Sequence, residues 1–175
     1  MAVDLEDFNV LHQYMSRCVE LGRLAPNHLK KPYVGALVLR KDGKVLGEGY
    51  RKFIDGTKMV CHAERVAIDK TGFYDLKGTY LFTTLEPCVW VNGDERGNGR
   101  KRKQIIEPCS KLIVDEGIET VVFSELDNSF TMSPGTGVNY LKDHGVKVIQ
   151  YEGLSREILS KLMTYECRIN RGLPG

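Results

Sequence analysis

From Leu5 to Leu24 the apolar residues Phe8, Leu11, Tyr14, Met15, Cys18 and Val19 recur at helical spacing, so the chain is expected to open with a helix. Residues 25–32 form a polar loop closed by Pro32. Val34 to Leu39 is a continuous apolar run and reads as a buried strand. The Asp42-Gly43 pair then signals a hairpin turn that sends the chain back as a strand from Val45 to Tyr50. A helix is expected from His62 to about Asp69, with Val66 and Ala67 inward. Thr79 to Thr84 is a run of β-formers that delivers the chain to Leu85-Glu86-Pro87-Cys88.

Residues 91–104 are rich in glycine and charge and read as a loop. Pro108 suits a first helical position, where a missing N–H costs nothing. Leu112 and Ile113 form the apolar face of the helix it begins, and Gly117 suits its end. Strands are expected over Thr120–Ser124 and Val146–Tyr151. A glycine-rich loop around Pro134–Gly137 and a short helix ending near Gly145 separate them. Ser155 to about Asn170 closes the chain as an amphipathic helix, with Ile158, Leu159, Leu162 and Met163 on one face. A helix, a hairpin and then alternating helix and strand make an α/β domain with helices on both faces of a mixed sheet. No repeat, linker or second domain interrupts the pattern, so residues 1–175 are read as one domain.

Composition changes this picture little. Apolar residues make up 42% of the 175 and charged residues 27%, ordinary values for a globular chain with one sizeable core. The 25 basic residues nearly balance the 23 acidic ones, so charge alone demands no nucleic-acid partner. The acidic start, Met1 to Asp7, resembles neither a secretion signal nor a transit peptide, and no run is long enough for a membrane span. Five irregularly spaced cysteines do not look like a disulfide framework, and a reducing cytoplasm is expected.

Four residues supply candidate chemistry. His62 and Glu64 stand two apart, and Cys88 and Cys109 each follow a proline. A lone His-Ala-Glu arises by chance in helices, and a lone Pro-Cys says less. In this order, after a Thr-Thr-Leu-Glu strand exit, they form the ligand pattern of zinc-dependent hydrolytic deaminases. One imidazole and two thiolates leave a fourth zinc position open for water. Glu64, in the first turn of its helix, is then a proton carrier and not a ligand. Cys109 at a helix start sits where the helix dipole favours a thiolate, and a similar start is expected at Cys88. Cys61 adjoins His62 and is the competing ligand, although neighbours at a helix start point in different directions. Cys18 and Cys167 read as core residues. His12, His28 and His144 read as structural or solvated.

At this point the chain resembles the deaminase domain of the riboflavin-biosynthesis deaminase–reductase family. The likeness begins at Pro32-Tyr33-Val34-Gly35-Ala36 and continues through Gly47-Glu48-Gly49-Tyr50, His62-Ala63-Glu64 and Thr84-Leu85-Glu86-Pro87-Cys88. It ends with Pro108-Cys109, Gly117-Ile118 and the Gly-x-Gly of Gly135 and Gly137. The resemblance implies a cytidine-deaminase-like, three-layer α-β-α fold with a mixed sheet of about five strands. It also implies Zn2+ on His62, Cys88 and Cys109, with Glu64 as the catalytic residue. The implied substrate is a diamino-ribosylamino-pyrimidinone 5′-phosphate, contacted near Gly35 and Ala36. Without a reductase portion the chain reads as a stand-alone deaminase, and a homodimer is the analogy the fold supplies.

Two departures bear on substrate binding. Where the family carries an asparagine before Pro32, this chain has Lys31, which offers charge but no acceptor, with Asn27 as a conceivable substitute. The family's short histidine-containing loop between the two cysteines is replaced by a longer one carrying Arg96, Arg100, Lys101, Arg102 and Lys103. Arg100 and its neighbours read as a phosphate clamp, as a nucleic-acid loop with Trp90 to stack a base, or as a solvated insertion. Three functions therefore compete: a riboflavin-type deaminase, a deaminase of cytosine- or adenine-type bases, and a zinc-bearing binding protein without catalysis. Glu64 argues against the last.

Overall fold

In the computed structural model the described residues are 2–26, 32–57, 59–89, 107–128 and 133–162. The opening helix, α1 (Phe8–Gly22), starts where the Asp7 carboxylate accepts from the Asn9 amide, and it buries Leu11, Met15, Cys18 and Val19. The expected hairpin follows as β1 (Gly35–Leu39) and β2 (Val45–Tyr50). Its Asp-Gly turn is closed by the Gly43 amide on the Arg40 carbonyl at 2.9 Å.

Two short strands, β3 (Lys52–Phe53) and β4 (Val60–Cys61), pair antiparallel as a separate ribbon that the sequence pattern did not reveal. Next come α2 (Ala63–Asp69), β5 (Tyr80–Leu85), α3 (Cys109–Asp115) and β6 (Thr120–Glu125). The described chain ends with α4 (Thr136–Asp143), β7 (Lys147–Gln150) and α5 (Ser155–Lys161). Helix α4 begins at Thr136, inside the stretch read as a loop, because Gly135 takes a left-handed conformation (φ 83°) just before it. The expected continuation of α5 to Asn170, with Met163 and Cys167, lies outside the described residues.

The sheet has five strands in the order β2-β1-β5-β6-β7. Strand β1 runs antiparallel to both β2 and β5, while β5, β6 and β7 are parallel. Parallel neighbours need crossovers, and α3 and α4 provide them. Helix α2 contacts α3, and α3 contacts α4. Helices α1 and α5 lie together, joined by the Arg23–Glu157 ion pair and by Leu162 beside Gly22. The result is the expected three-layer α-β-α arrangement. The six residues of β5 are all buried, as are those of β6, because both faces of the central strands are covered. Phe82 is fully buried at the centre, a burial worth about 1.5–3 kcal/mol. Among the described residues no helix is long and apolar enough to cross a membrane.

Helix α2 packs on the hairpin at unusually short range. A Cβ on Gly47 would meet the Ala67 carbonyl oxygen at 2.1 Å. On Gly49 it would meet the Ala63 carbonyl oxygen at 2.2 Å and the Ala67 nitrogen at 2.5 Å. Only glycine permits this approach, and alanine on the facing helix keeps the other side equally thin. The contact sets the height of α2 over the sheet, and with it the position of the residues at the start of the helix.

Candidate active site

His62 is the N-cap of α2, with extended backbone, and its side chain makes no capping bond. The imidazole is thereby left to project toward the carboxyl end of β5. Its carbonyl accepts the first helical bond, from Val66 at 3.1 Å. Glu64 follows within the first turn and is 4% exposed.

Cys88 arrives from β5. The Glu86 amide still pairs with the Glu125 carbonyl at 2.8 Å, so the chain leaves the sheet only at Pro87. Residues 86–89 are not helical, which corrects the expectation of a helix start at Cys88. Pro108 is the N-cap of α3 and Cys109 its first residue, one position later than the sequence reading placed the proline. Cys109 therefore does stand at a helix N-terminus, as expected.

Two pins join these segments. Ser110 donates from its hydroxyl to the Pro87 carbonyl at 3.1 Å and from its amide to the Cys88 carbonyl at 3.0 Å. Arg65 donates to the Glu107 carbonyl at 3.0 Å, tying α2 to the approach of α3. The Cys109 amide also donates to the Cys88 sulfur at 3.3 Å.

The three elements bring together one side chain each. His62 Nδ1 lies 3.5 Å from the Cys88 Sγ and 3.5 Å from the Cys109 Sγ. All three donor atoms fall within 4.8 Å of one another, a metal-binding arrangement among the described residues. A tetrahedral zinc, with sulfur about 2.3 Å and nitrogen about 2.0–2.1 Å away, sets nitrogen and sulfur about 3.5 Å apart. The donor set and its spacing therefore fit such an ion, with Nδ1 as the imidazole donor. Cys61 is not part of this group. It is buried on β4 and borders a separate cavity of about 620 Å³ shared with Lys52, Arg65 and Asp69.

The electrostatics follow from burial and crowding. The Cys109 thiol donates toward Cys88 and holds that thiol down at about 4, with His62 adding to the effect. Cys109 is itself pushed well up, because it shares its proton with Cys88 and is buried. Burial opposes charge on His62, but the adjoining Cys88 sulfur outweighs it and the imidazole is raised. Burial is also the main cause that lifts Glu64 to about 7; His62 opposes and Cys88 reinforces it. Metal binding to such a group requires deprotonated sulfur, and one thiolate is already favoured.

Of the other expected contacts, Gly35 and Ala36 are buried in β1. Gly35 donates to the Thr84 hydroxyl at 3.3 Å, and Ala36 sits in the ladder between Gly49 and Thr83. Lys31, Asn27 and Arg100 lie outside the described residues, as do Trp90, His28 and the basic run 96–103. His12 bonds the Tyr151 hydroxyl at 2.8 Å and His144 the Tyr140 carbonyl at 2.7 Å, which fits their structural reading. Cys18 is fully buried in the core.

Sequence reasoning missed Glu86, Ser110 and Arg51. Arg51 is buried just after β2, donates to the Pro32 carbonyl at 3.1 Å, and its charge acts against protonation of His62 and Glu64. Glu86 accepts four backbone amides. Asp127 and Gly135 donate at 3.0 Å to one oxygen, and Gly137 and Val138 at 2.7 and 3.1 Å to the other. The Gly-x-Gly spacing was the only signal of this contact in the sequence.

Residues 9–125 match the family described as the cytidine and deoxycytidylate deaminase zinc-binding region. The riboflavin biosynthesis protein RibD of Actinobacillus pleuropneumoniae is 34% identical over 149 residues, which is 82% of this chain and 33% of that protein. The diaminohydroxyphosphoribosylamino-pyrimidine deaminase of Buchnera aphidicola subsp. Schizaphis graminum is 31% identical over 166 residues, covering 92% of this chain and 97% of that one. Among solved structures, the Thermotoga maritima diaminohydroxyphosphoribosylaminopyrimidine deaminase/5-amino-6-(5-phosphoribosylamino)uracil reductase superposes with a TM-score of 0.64 at 32% identity. That match covers 89% of this chain and 40% of the other. The chain thus spans about a third of the length of the RibD relatives it matches, and nearly the whole of the Buchnera deaminase.

Proposed function

From a chain that belongs to the diaminohydroxyphosphoribosylaminopyrimidine deaminase family, within the cytidine and deoxycytidylate deaminases, we propose a zinc-dependent aminohydrolase of the riboflavin pathway. Its substrate is 2,5-diamino-6-ribosylamino-4(3H)-pyrimidinone 5′-phosphate. The observation that carries the proposal is the cluster of His62, Cys88 and Cys109 at tetrahedral spacing, with the buried Glu64 carboxylate on the same helix as His62. The near-complete likeness to the Buchnera deaminase supports the choice of substrate.

In this reading His62, Cys88 and Cys109 hold zinc, which supplies Lewis acidity and a water nucleophilic at neutral pH. Glu64 would take one proton of the attacking water and pass it to the ring nitrogen beside the amine-bearing carbon, then take the second from the newly added hydroxyl and deliver it to the departing amine. Water and amine are thereby exchanged for a carbonyl and ammonia, and Glu64 ends the cycle as it began. Burial suits it to the task, since a carboxylate kept from bulk water does not lose its proton to solvent between the two transfers. Gly35, Ala36, Lys31, Asn27 and Arg100 belong to the proposal as substrate contacts, with Arg100 as the side chain suited to a phosphate. A homodimer and a cytoplasmic location belong to it as well, and sedimentation of the purified chain tests the first.

The test is ammonia release by zinc-loaded protein from the pyrimidinone phosphate, with cytidine, deoxycytidylate and single-stranded DNA in parallel. Release from the first alone is expected, and Glu64→Gln should lower it about 100- to 10,000-fold. Release from cytidine or deoxycytidylate alone would overturn the substrate. An unchanged rate in Glu64→Gln would overturn the proton route.

A further inference from the structure

Glu86 sits at the end of β5, 2% exposed, two residues before Cys88. A carboxylate so deep in a protein costs several kcal/mol unless it is fully hydrogen-bonded. Here both oxygens are satisfied by backbone amides of one neighbouring segment: Asp127, Gly135, Gly137 and Val138. Gly135, Gly137 and Val138 are the N-cap, second and third residues of α4, and α4 has no side-chain cap of its own. Glu86 therefore caps α4 from a different strand, with a charge that the helix N-terminus favours.

The reciprocal effect falls on Cys88. A Cβ on Gly137 would lie 2.1 Å from the Pro87 carbonyl oxygen, so the first turn of α4 rests directly on the segment that carries Cys88. On its other side that segment is held by Ser110 through the Pro87 and Cys88 carbonyls. Among the described residues, 86–89 are not helical, so Cys88 does not stand at a helix start as Cys109 does or at an N-cap as His62 does. Its direction is set by what grips residues 86–88.

We propose that Glu86 is a positioning residue for the metal centre: by clamping the start of α4 to the end of β5, it fixes the Pro87–Cys88 segment so that the Cys88 sulfur meets His62 and Cys109 at ligand spacing. This rests on the metal site assigned under Proposed function. The clamp needs a carboxylate and not an amide, because Gln turns an NH2 toward two of the four N–H donors and leaves them unpaired.

The experiment is cobalt(II) titration of the full chain against a chromophoric chelator, with the thiolate-to-cobalt absorption recorded alongside. Glu86→Gln should keep its helical circular dichroism, bind cobalt about 10- to 100-fold more weakly, and show an altered thiolate band. Met15→Ala, a core truncation on the opposite face of the sheet, should lose stability yet bind cobalt as the wild type does. Folded Glu86→Gln with wild-type affinity and band would overturn the proposal and leave the metal site standing. If Glu86→Gln does not fold, Glu86→Asp decides. It keeps the charge but is one methylene short, so it must drag the segment and shift the band, and an unshifted band with wild-type affinity overturns the idea. A wild-type chain that takes up no cobalt removes the metal site itself, and this inference with it.

Discussion

Helix α2 delivers His62 and Glu64 by pressing its backbone against the glycines of β2, whereas residues 86–88 deliver Cys88 on a set of hydrogen bonds to Glu86, Pro87 and Cys88. The first arrangement is steric. It tolerates no added atom, and it needs no particular polar partner. The second is electrostatic and directional. It shares one tight backbone contact, Gly137 on the Pro87 carbonyl, but it also fails on a wrong donor or acceptor. Two ligand segments of one site thus fail in different ways, and the difference can be tested from each side.

The largest effect is expected on the steric side. Gly49→Val puts branched carbon where the Ala63 carbonyl and the Ala67 nitrogen already stand, so α2 must lift from the hairpin. A loss of about 3 kcal/mol or more should appear in urea denaturation of the metal-free protein. A loss below about 1 kcal/mol would mean that backbone contact is not what holds α2.

The next effect runs in the opposite direction. Burial raises Glu64 from 4.5 to about 7, so the folded protein holds its proton more tightly than the unfolded chain does. The stability tied to that proton is fully present below about pH 4.5 and is lost as pH rises through about 7. Glu64→Gln has no such loss. The metal-free variant should therefore be more stable than wild type by about 3 kcal/mol at pH 8 and no more stable at pH 4. Thermal melts at the two pH values measure this, and a variant equally stabilised at both would point to packing and not to charge.

The smallest belongs to the polar side. Ser110→Ala removes the hydroxyl bond to the Pro87 carbonyl but leaves the amide bond to Cys88 in place. A cost of about 1 kcal/mol is expected by the same urea assay. A cost approaching that of Gly49→Val would make the two anchors equivalent and end the distinction.

The same contrast explains what the sequence disclosed. Helix α2 was legible to within one residue, His62 being its N-cap and Ala63 its first residue, because His62 precedes a run with apolar positions at helical spacing. The hairpin was legible because Asp42-Gly43 stands between two apolar runs. The metal-binding group was legible because its three donors are of unmistakable type. Strands β3 and β4 were not, since two residues each, Lys52–Phe53 and Val60–Cys61, are too few to show alternation. The role of Glu86, hinted at only by the Gly-x-Gly spacing of its donors, went unread for another reason. A glutamate at a strand exit reads as solvated, and its partners stand 41–52 residues downstream, among amides that every sequence position possesses. Periodicity reports which side chains face a core; it carries no sign of a carboxylate bonded to backbone. The start of α4 was hidden similarly, because the group that caps it is supplied by β5.

Strand β5 occupies the middle of the sheet, paired on both edges, and it runs on into Glu86 through the bond to Glu125 before turning at Pro87. Its amides are reached by solvent only when the whole sheet opens, while β2, β7 and α5 lie at the periphery, where partial opening costs less. Fraying of those outer elements leaves the Cys88 segment undisturbed. The Cys88 donor is accordingly coupled to the opening of the whole sheet, whereas His62, carried by α2 on the edge strand β2, shares the breathing of that margin.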